Sequence, residues 1–433
     1  MGSQLKEVVI VGGGLAGLTA AYYLARSGIS VRLFEKGATV GGRAATQNHE
    51  GYHFNRGIHA LYTGGAASEV LEELGIRYSG NSPKQIHALR QGKLHVAPVD
   101  SLTLLRTDLL DFADKLELMQ LFMKLPGLNT EALSYVSVQD WLATNIRRPR
   151  VRQLMASQAH TFVYSSALDL VSAEVFIVKT QLALKNPVVY IDGGWETLAQ
   201  GLRGAAEQAG AIITSGARVE SVEYQDGRVH GVRLRDGGSV PAQAVILAAA
   251  PKDTVKLVDG GEYAPMRQIV NGLIPAQVAA LDVALSRLPN PRHAIVQDME
   301  KPRFMSTQSL YSHVTPEGGA LIYSFKQLDP RQTSDAHEDE RDLENLLDTA
   351  QPGWREVLVK RQFLPRIDAI GMLPTAIGGG YSGRPGTHVP GIANLYLAGD
   401  WVGSGFLADA SFGSARQAAR QILQQEGSVA ARV

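Results

Sequence analysis

The chain of 433 residues contains no cysteine. That absence excludes disulfides, thiolate metal ligands, a cysteine nucleophile and any thioether-linked cofactor. It also lacks an excess of charge. Its 42 Lys and Arg balance 42 Asp and Glu, so a nucleic-acid partner finds no electrostatic support. No stretch approaches the roughly 18 uninterrupted apolar residues of a membrane-spanning helix. The first residues carry no basic segment followed by an apolar run, so no export signal is expected. The expected location is the cytoplasm, in keeping with a cysteine-free chain, with association to a membrane as the alternative. The 11 histidines show no HExxH or other compact ligand spacing, so a metal site has little support.

What is present is globular in character, with 45% hydrophobic and 19% charged residues. The length is too great for one ordinary core and implies two or three domains. Lys6 to Val11 is a β-branched apolar run that reads as a buried parallel strand. Leu15 to Ser27 carry helical periodicity that Gly28 ends, and Ile29 to Phe34 is a second strand. This is a βαβ unit. Farther on, Ser101 to Leu125 is rich in Leu, Phe and Met at helical spacing, and Ser137 caps another helix. Two Asp-Gly pairs punctuate alternating strands between Val219 and Ala250. Asp335 to Asp348 is heavily charged and reads as a solvated helix. The aromatics Trp141, Tyr164 and Trp195 read as core. Asp409 opens a final helix, where a carboxylate is favoured by the dipole.

Gly12-x-Gly14-x-x-Gly17 follows the first strand and opens the first helix. The first glycine permits the tight turn and the second lets a pyrophosphate approach the backbone. The third lets helix and strand pack closely, and the helix N–H groups favour an anion. Glu35 ends the second strand, where a carboxylate would bond ribose hydroxyls. Together these point to a dinucleotide. Gly41-Gly42-Arg43 follows a few residues later, and a guanidinium there can pair with phosphate. Far away, "LYLAGD" is a buried strand ending in Gly399-Asp400, where a carboxylate can accept from a polyol hydroxyl.

The set GxGxxG…E, GGR and LAGD resembles the flavin superfamily of monoamine oxidases, protoporphyrinogen oxidases and phytoene-type carotenoid desaturases. The resemblance runs along the whole chain, through "FNRGIHALY", "GGWETLAQGL", "ARVESV" and "AVILAAAP". It implies non-covalent FAD and an α/β fold. The fold would hold a doubly wound, glutathione-reductase-like Rossmann domain and an interleaved α+β substrate domain. The FAD domain would take roughly 1–80, 188–260 and 375–433, and the substrate domain 81–187 and 261–374. It places Gly12, Gly14, Ala16, Gly17, Glu35, Gly42, Arg43, Gly57, Val219, Gly399, Asp400, Leu407 and Ala408 against the cofactor, and His59 near its ring.

The same resemblance bears on the substrate. Amine oxidases of this group have a lysine that contacts N5 through water and an aromatic cage around the amine. "RQAARQIL" aligns with the family's last helix, and counting back puts the usual cage tyrosine at Leu407, beside Phe406. Lys326, in "YSFKQL", is the candidate for the lysine. "GDWVGSGFLADASFGSAR" is similar to the endings of isoprenoid desaturases, with Trp401, Phe406 and Leu407 as a greasy wall. Hydride abstraction from a carbon of an apolar, isoprenoid- or polyene-like small molecule is therefore the leading expectation, with oxygen or a quinone reoxidising the flavin. Amine oxidation, a protoporphyrinogen oxidase-like activity and a redox-neutral isomerase or binding protein are the alternatives. Residues 101 to 125 read either as an amphipathic surface touching lipid or lining a tunnel, or as a helix packed on its own domain.

Overall fold

Glu7–Val11 is buried along almost its whole length, and its side chains alternate between two cores. Val8 and Ile10 join one cluster with Leu18, Leu24, Leu198 and Phe412, while Val9 and Val11 join another with Val222, Val245 and Met266. A strand covered on both faces needs apolar residues at consecutive positions, which is why this segment does not alternate. The computed structural model describes residues 7–430; the expected start of this strand at Lys6 lies outside the described residues. The strand is the centre of a five-stranded sheet ordered Ile212–Ser215, Ser30–Glu35, Glu7–Val11, Ala244–Leu247, Leu395–Leu397, with every pairing parallel. The helix Leu15–Arg26 follows the glycine turn, and Gly28, at φ +81°, takes the left-handed conformation that ends it.

A second, seven-stranded sheet is ordered Leu358–Ile370, Ala276–Leu285, Ala320–Gln327, Arg303–Thr307, Ile295–Asp298, His87–Arg90, Lys93–Val96. Its pairings are antiparallel except for Ile295–Asp298 against His87–Arg90. Helices including Pro149–Val163 and Ala173–Lys185 pack together through a separate cluster containing Trp141, Val151, Met155 and Phe176. Ser137 accepts from the Asp140 backbone and caps the Val138–Asn145 helix. Asp226 and Gly227 both have positive φ and join antiparallel strands in a tight turn. The architecture is the expected α/β one, a parallel βαβ sheet beside a mixed sheet roofed by helices.

Two segments differ in detail from their sequence reading. Ser101 to Leu125 is not one helix. Ser101–Arg106 and Phe112–Lys124 are separated by a short loop, each opened by an aspartate, Asp100 and Asp111, in a capping box. Leu102, Leu105, Phe112 and Met123 stand more than half exposed on them, Phe112 at 84%. The charged run folds as the helix Ala336–Ala350, but it is not simply solvated. Leu343, Leu346 and Leu347 are buried, and Asp339 and Asp342 turn inward with them.

Candidate active site

The glycine turn builds the first part of the site. Gly12 has φ +111°, and a Cβ on it would stand 2.6 Å from the Ala248 carbonyl oxygen. A Cβ on Gly17 would stand 1.9 Å from the Gly12 carbonyl, so the helix rests directly on the turn. At Gly14 a Cβ would meet nothing within 4 Å, because this position borders a cavity of about 580 Å³. Gly14 is the N-cap of the helix and no side chain caps it, which leaves first-turn N–H groups for an anion. Glu35 accepts from Gly13 N at 2.7 Å and Gly37 N at 2.6 Å. Each of its oxygens keeps a second lone pair for a hydroxyl. Ala16, Gly42, Val219 and Gly399 line the same cavity. An open glycine face, an uncapped helix N-terminus and a strand-end carboxylate fit the pyrophosphate and ribose of FAD.

Arg43 and Asp400 stand where this cavity meets a second one, of about 300 Å³. The guanidinium is committed to Asp400 as a bidentate pair, with Nη1 at 2.8 Å from Oδ2, and Gly371 N also donates to Asp400 at 2.7 Å. Burial alone would push the Asp400 carboxyl up, but Arg43 outweighs it and holds the group below its ordinary range. The main chain of Asp400 and the carbonyl of Gly405 are tied to the buried Arg384. Arg56 borders both cavities and makes no hydrogen bond among the described residues. Its guanidinium, like those of Arg218 and Arg235 on the first cavity, is available to a phosphate charge.

The second cavity is lined by Gly57, His59, Phe406, Leu407 and Ala408. Gly57 has φ +82°, and its carbonyl lies 2.9 Å from His59 Nδ1. A carbonyl can only accept, so that nitrogen carries the proton. Burial pushes the imidazole pKa below its ordinary value, which keeps the ring neutral. Trp195 packs against it, ring centroids 5.0 Å apart. Leu407 has φ +56°, unusual for a leucine, at the entry to the final helix Ala408–Ala430. A third cavity, of about 320 Å³, shares Ile58, Ala60, Tyr62, Tyr164 and Phe325 with the second. Tyr164 and Phe325 stack at 5.4 Å with an interplanar angle of 10°.

Several sequence expectations are corrected here. Trp401 is fully buried but lines none of these cavities. Its Nε1 donates to Ala249 O at 3.1 Å and its ring joins the core behind the parallel sheet. Lys326 is also elsewhere. It pairs with Asp339 at 2.8 Å and Asp342 at 2.6 Å, the two inward acids of the charged helix. Those pairs raise its pKa despite the opposing effect of burial. Tyr164 and Trp195 are cavity walls as well as packed side chains, whereas Trp141 is core.

The sequence reading missed Lys179. It lies on the Ala173–Lys185 helix, 2% exposed, and lines the second cavity. Its Nζ sits 3.9 Å from the Tyr62 ring centroid and 3.6 Å from Asp409 Oδ2. Burial draws the ammonium pKa down and Asp409 opposes it. Asp409 is in the first turn of the last helix, but its Oδ1 caps a different one, accepting from Ala67 N at 2.9 Å. The available signal was a single cation in the apolar run "VFIVKTQLAL".

Residues 15–269 match the family described as flavin containing amine oxidoreductase. A 4,4'-diaponeurosporene oxygenase of Staphylococcus aureus is 25% identical over a match covering 56% of this chain and 55% of that protein. The chain thus spans about half the length of the curated relatives it matches. Among solved structures, an oxidoreductase from Methanosarcina mazei superposes with a TM-score of 0.76 at 18% identity, covering 95% of this chain and 99% of the other. A putrescine oxidase redesigned in cofactor binding superposes with a TM-score of 0.75 at 17% identity, covering 97% and 99%. At such identities the likeness is one of fold. Among the described residues, no helix is long and apolar enough to cross a membrane.

Proposed function

The chain belongs to the family of flavin-containing amine oxidoreductases, and from that premise we propose that it holds FAD non-covalently and oxidises an apolar, isoprenoid- or polyene-like small molecule. Bound FAD supplies a hydride acceptor at N5, with oxygen or a quinone as the final oxidant. Gly12, Gly14 and Gly17 with the N-terminus of the Leu15–Arg26 helix would hold the pyrophosphate, and Glu35 the ribose. Val219 would present backbone to the adenine end, and Arg56 would supply positive charge beside Arg43. His59, Leu407 and Ala408 would border the ring.

The observation that carries the substrate reading is the lining of the second and third cavities. Phe406 and Leu407 line the second cavity, Leu407 being the position where the family resemblance expects a cage tyrosine, and the way onward passes the Tyr164–Phe325 stack. Apolar walls of this kind exclude water and position a C–H bond without a polar handle on the carbon. Val99, Phe122 and Leu184 line the third cavity. Val99 and Leu184 are themselves exposed, as are Leu102, Leu105 and Phe112 on the neighbouring helices. This supports peripheral contact with a lipid surface, from which a water-insoluble substrate would enter.

The test is anaerobic mixing of the reconstituted holoenzyme with squalene or a carotene in detergent micelles, and separately with benzylamine or putrescine. Bleaching of the visible flavin band by the polyene alone is expected. Bleaching by amines alone would replace this reading with amine oxidation. A flavin that stays oxidised while the ligand is rearranged would replace it with a redox-neutral activity.

A further inference from the structure

The second cavity is apolar on most sides, yet a buried ammonium faces it. Lys179 is flanked on its helix by the buried Phe176, Ile177 and Thr180. Its Nζ makes no hydrogen bond among the described residues. The Asp409 oxygen at 3.6 Å is an ion-pair partner beyond hydrogen-bond distance. Asp409 cannot swing closer at no cost, because Oδ1 is held by Ala67 N. The carboxylate also sits in a recess left by Gly65, where a Cβ would stand 2.5 Å from that same oxygen. An ammonium has three donors in a tetrahedral fan. One points towards Asp409 and the face of Tyr62 receives the positive charge. At least one donor is left for whatever occupies the cavity.

From this we infer that Lys179 selects the polar end of the substrate: it donates a hydrogen bond to a neutral oxygen, carbonyl or hydroxyl, carried by an otherwise apolar molecule. The charge arithmetic favours a neutral partner. Lys179 and Asp409 already cancel, and bringing a further unit charge beside this buried pair is costly. A neutral acceptor satisfies the unused donor and leaves the balance intact. An alkylammonium does the reverse. It brings only donors and places a second cation beside Lys179, whose charge already faces the nearest carboxylate. Lys179 thus acts as a specificity-determining residue.

This inference deepens the function proposed above and rests on it, since it takes the second cavity as the substrate's place beside FAD. It is tested by titrating the holoenzyme with methyl octyl ketone, decanol and decylamine, which share an apolar tail and differ at one end. The readout is the perturbation of the visible flavin spectrum, which needs no turnover. The ketone and the alcohol should bind at least about tenfold more tightly than the amine, the worth of one hydrogen bond from a charged donor. Lys179→Met should collapse that preference to within about twofold, and Lys179→Arg should retain it. Should Lys179→Met not hold flavin, the paired variant Lys179→Met with Asp409→Asn removes both charges and carries the same expectation. Equal binding of amine and ketone by the wild type overturns the inference, as does an unchanged preference in the methionine variant or failure of the ketone to bind. The two readings fail separately. Polyene bleaching with an unaltered preference in the variant sinks only the role of Lys179. Absence of bleaching by any polyene, with the preference intact, sinks only the proposed reaction.

Discussion

Two alanine substitutions three residues apart should have opposite consequences. At Gly14 the backbone is extended, with φ −77° and ψ −177°, which alanine adopts freely, and the added methyl meets no protein atom within 4 Å. Gly14→Ala should therefore leave the apoprotein within about 1 kcal/mol of the wild type, the gain from a less flexible unfolded chain offsetting the poorer fit of alanine at an N-cap. The methyl would instead occupy space facing the cavity at the helix N-terminus. Loss of one charge-assisted hydrogen bond to a pyrophosphate costs about 1.5–3 kcal/mol, so FAD affinity should fall by roughly ten- to a hundredfold. At Gly17 the methyl would stand 1.9 Å from the Gly12 carbonyl oxygen and 3.1 Å from its carbon, both backbone atoms. The helix must then lift off the turn. Gly17→Ala should lower apoprotein stability by about 3 kcal/mol, the upper end of ordinary overpacking, and weaken FAD as well. Urea unfolding of both apoproteins, with FAD titration followed by quenching of its fluorescence, separates the two effects. The reasoning is refuted if Gly14→Ala binds FAD like the wild type, or if it loses stability as Gly17→Ala does.

Asp282 is fully buried on the Ala276–Leu285 strand, and neither carboxylate oxygen has a hydrogen-bond partner within normal geometry among the described residues. Burial pushes its pKa well above the carboxylate range. It stays protonated in the fold while the unfolded chain ionises above about pH 3.9. The unfolded state then binds fewer protons, so stability should fall by about 1.4 kcal/mol per pH unit from that point up to the folded pKa. Asp282→Asn should remove this contribution, seen as a shallower loss of stability as pH rises from about 5 in urea unfolding; an unchanged slope would show that Asp282 does not carry it. Lys326→Met should cost about 3–5 kcal/mol, because it strands the buried Asp339. FAD affinity and flavin reduction should stay as in the wild type. A drop in reduction without a drop in stability would return Lys326 to the reacting centre.

The glycine turn was legible because its demands are local. A backbone that turns, accepts an anion and packs a helix within six residues requires glycine at Gly12, Gly14 and Gly17, and the spacing itself carries the information. Leu407 was found by counting back from the last helix, and it lines the second cavity. The rest of the substrate end was not legible. Tyr62, Tyr164, Lys179, Phe325 and Asp409 meet only in the tertiary fold, and each alone has an ordinary explanation. Trp401 and Phe406 are five residues apart and looked like parts of one wall, but the intervening loop sends them into two different hydrophobic clusters. Lys326 was misread because its partners lie on a helix whose composition suggested solvent. The buried leucines of that helix turn Asp339 and Asp342 inward at the same time.

The polypeptide visits the parallel sheet at 7–35, leaves for the mixed sheet at 87–96, and returns at 212–247. It leaves again at 276–370 and comes back at 395–397. Four separate passages thus stitch the two halves together, and neither half exists as a contiguous stretch that could be excised and refolded. Any motion of one sheet against the other has to be taken up in the crossings at 36–86, 97–211, 248–275 and 371–394.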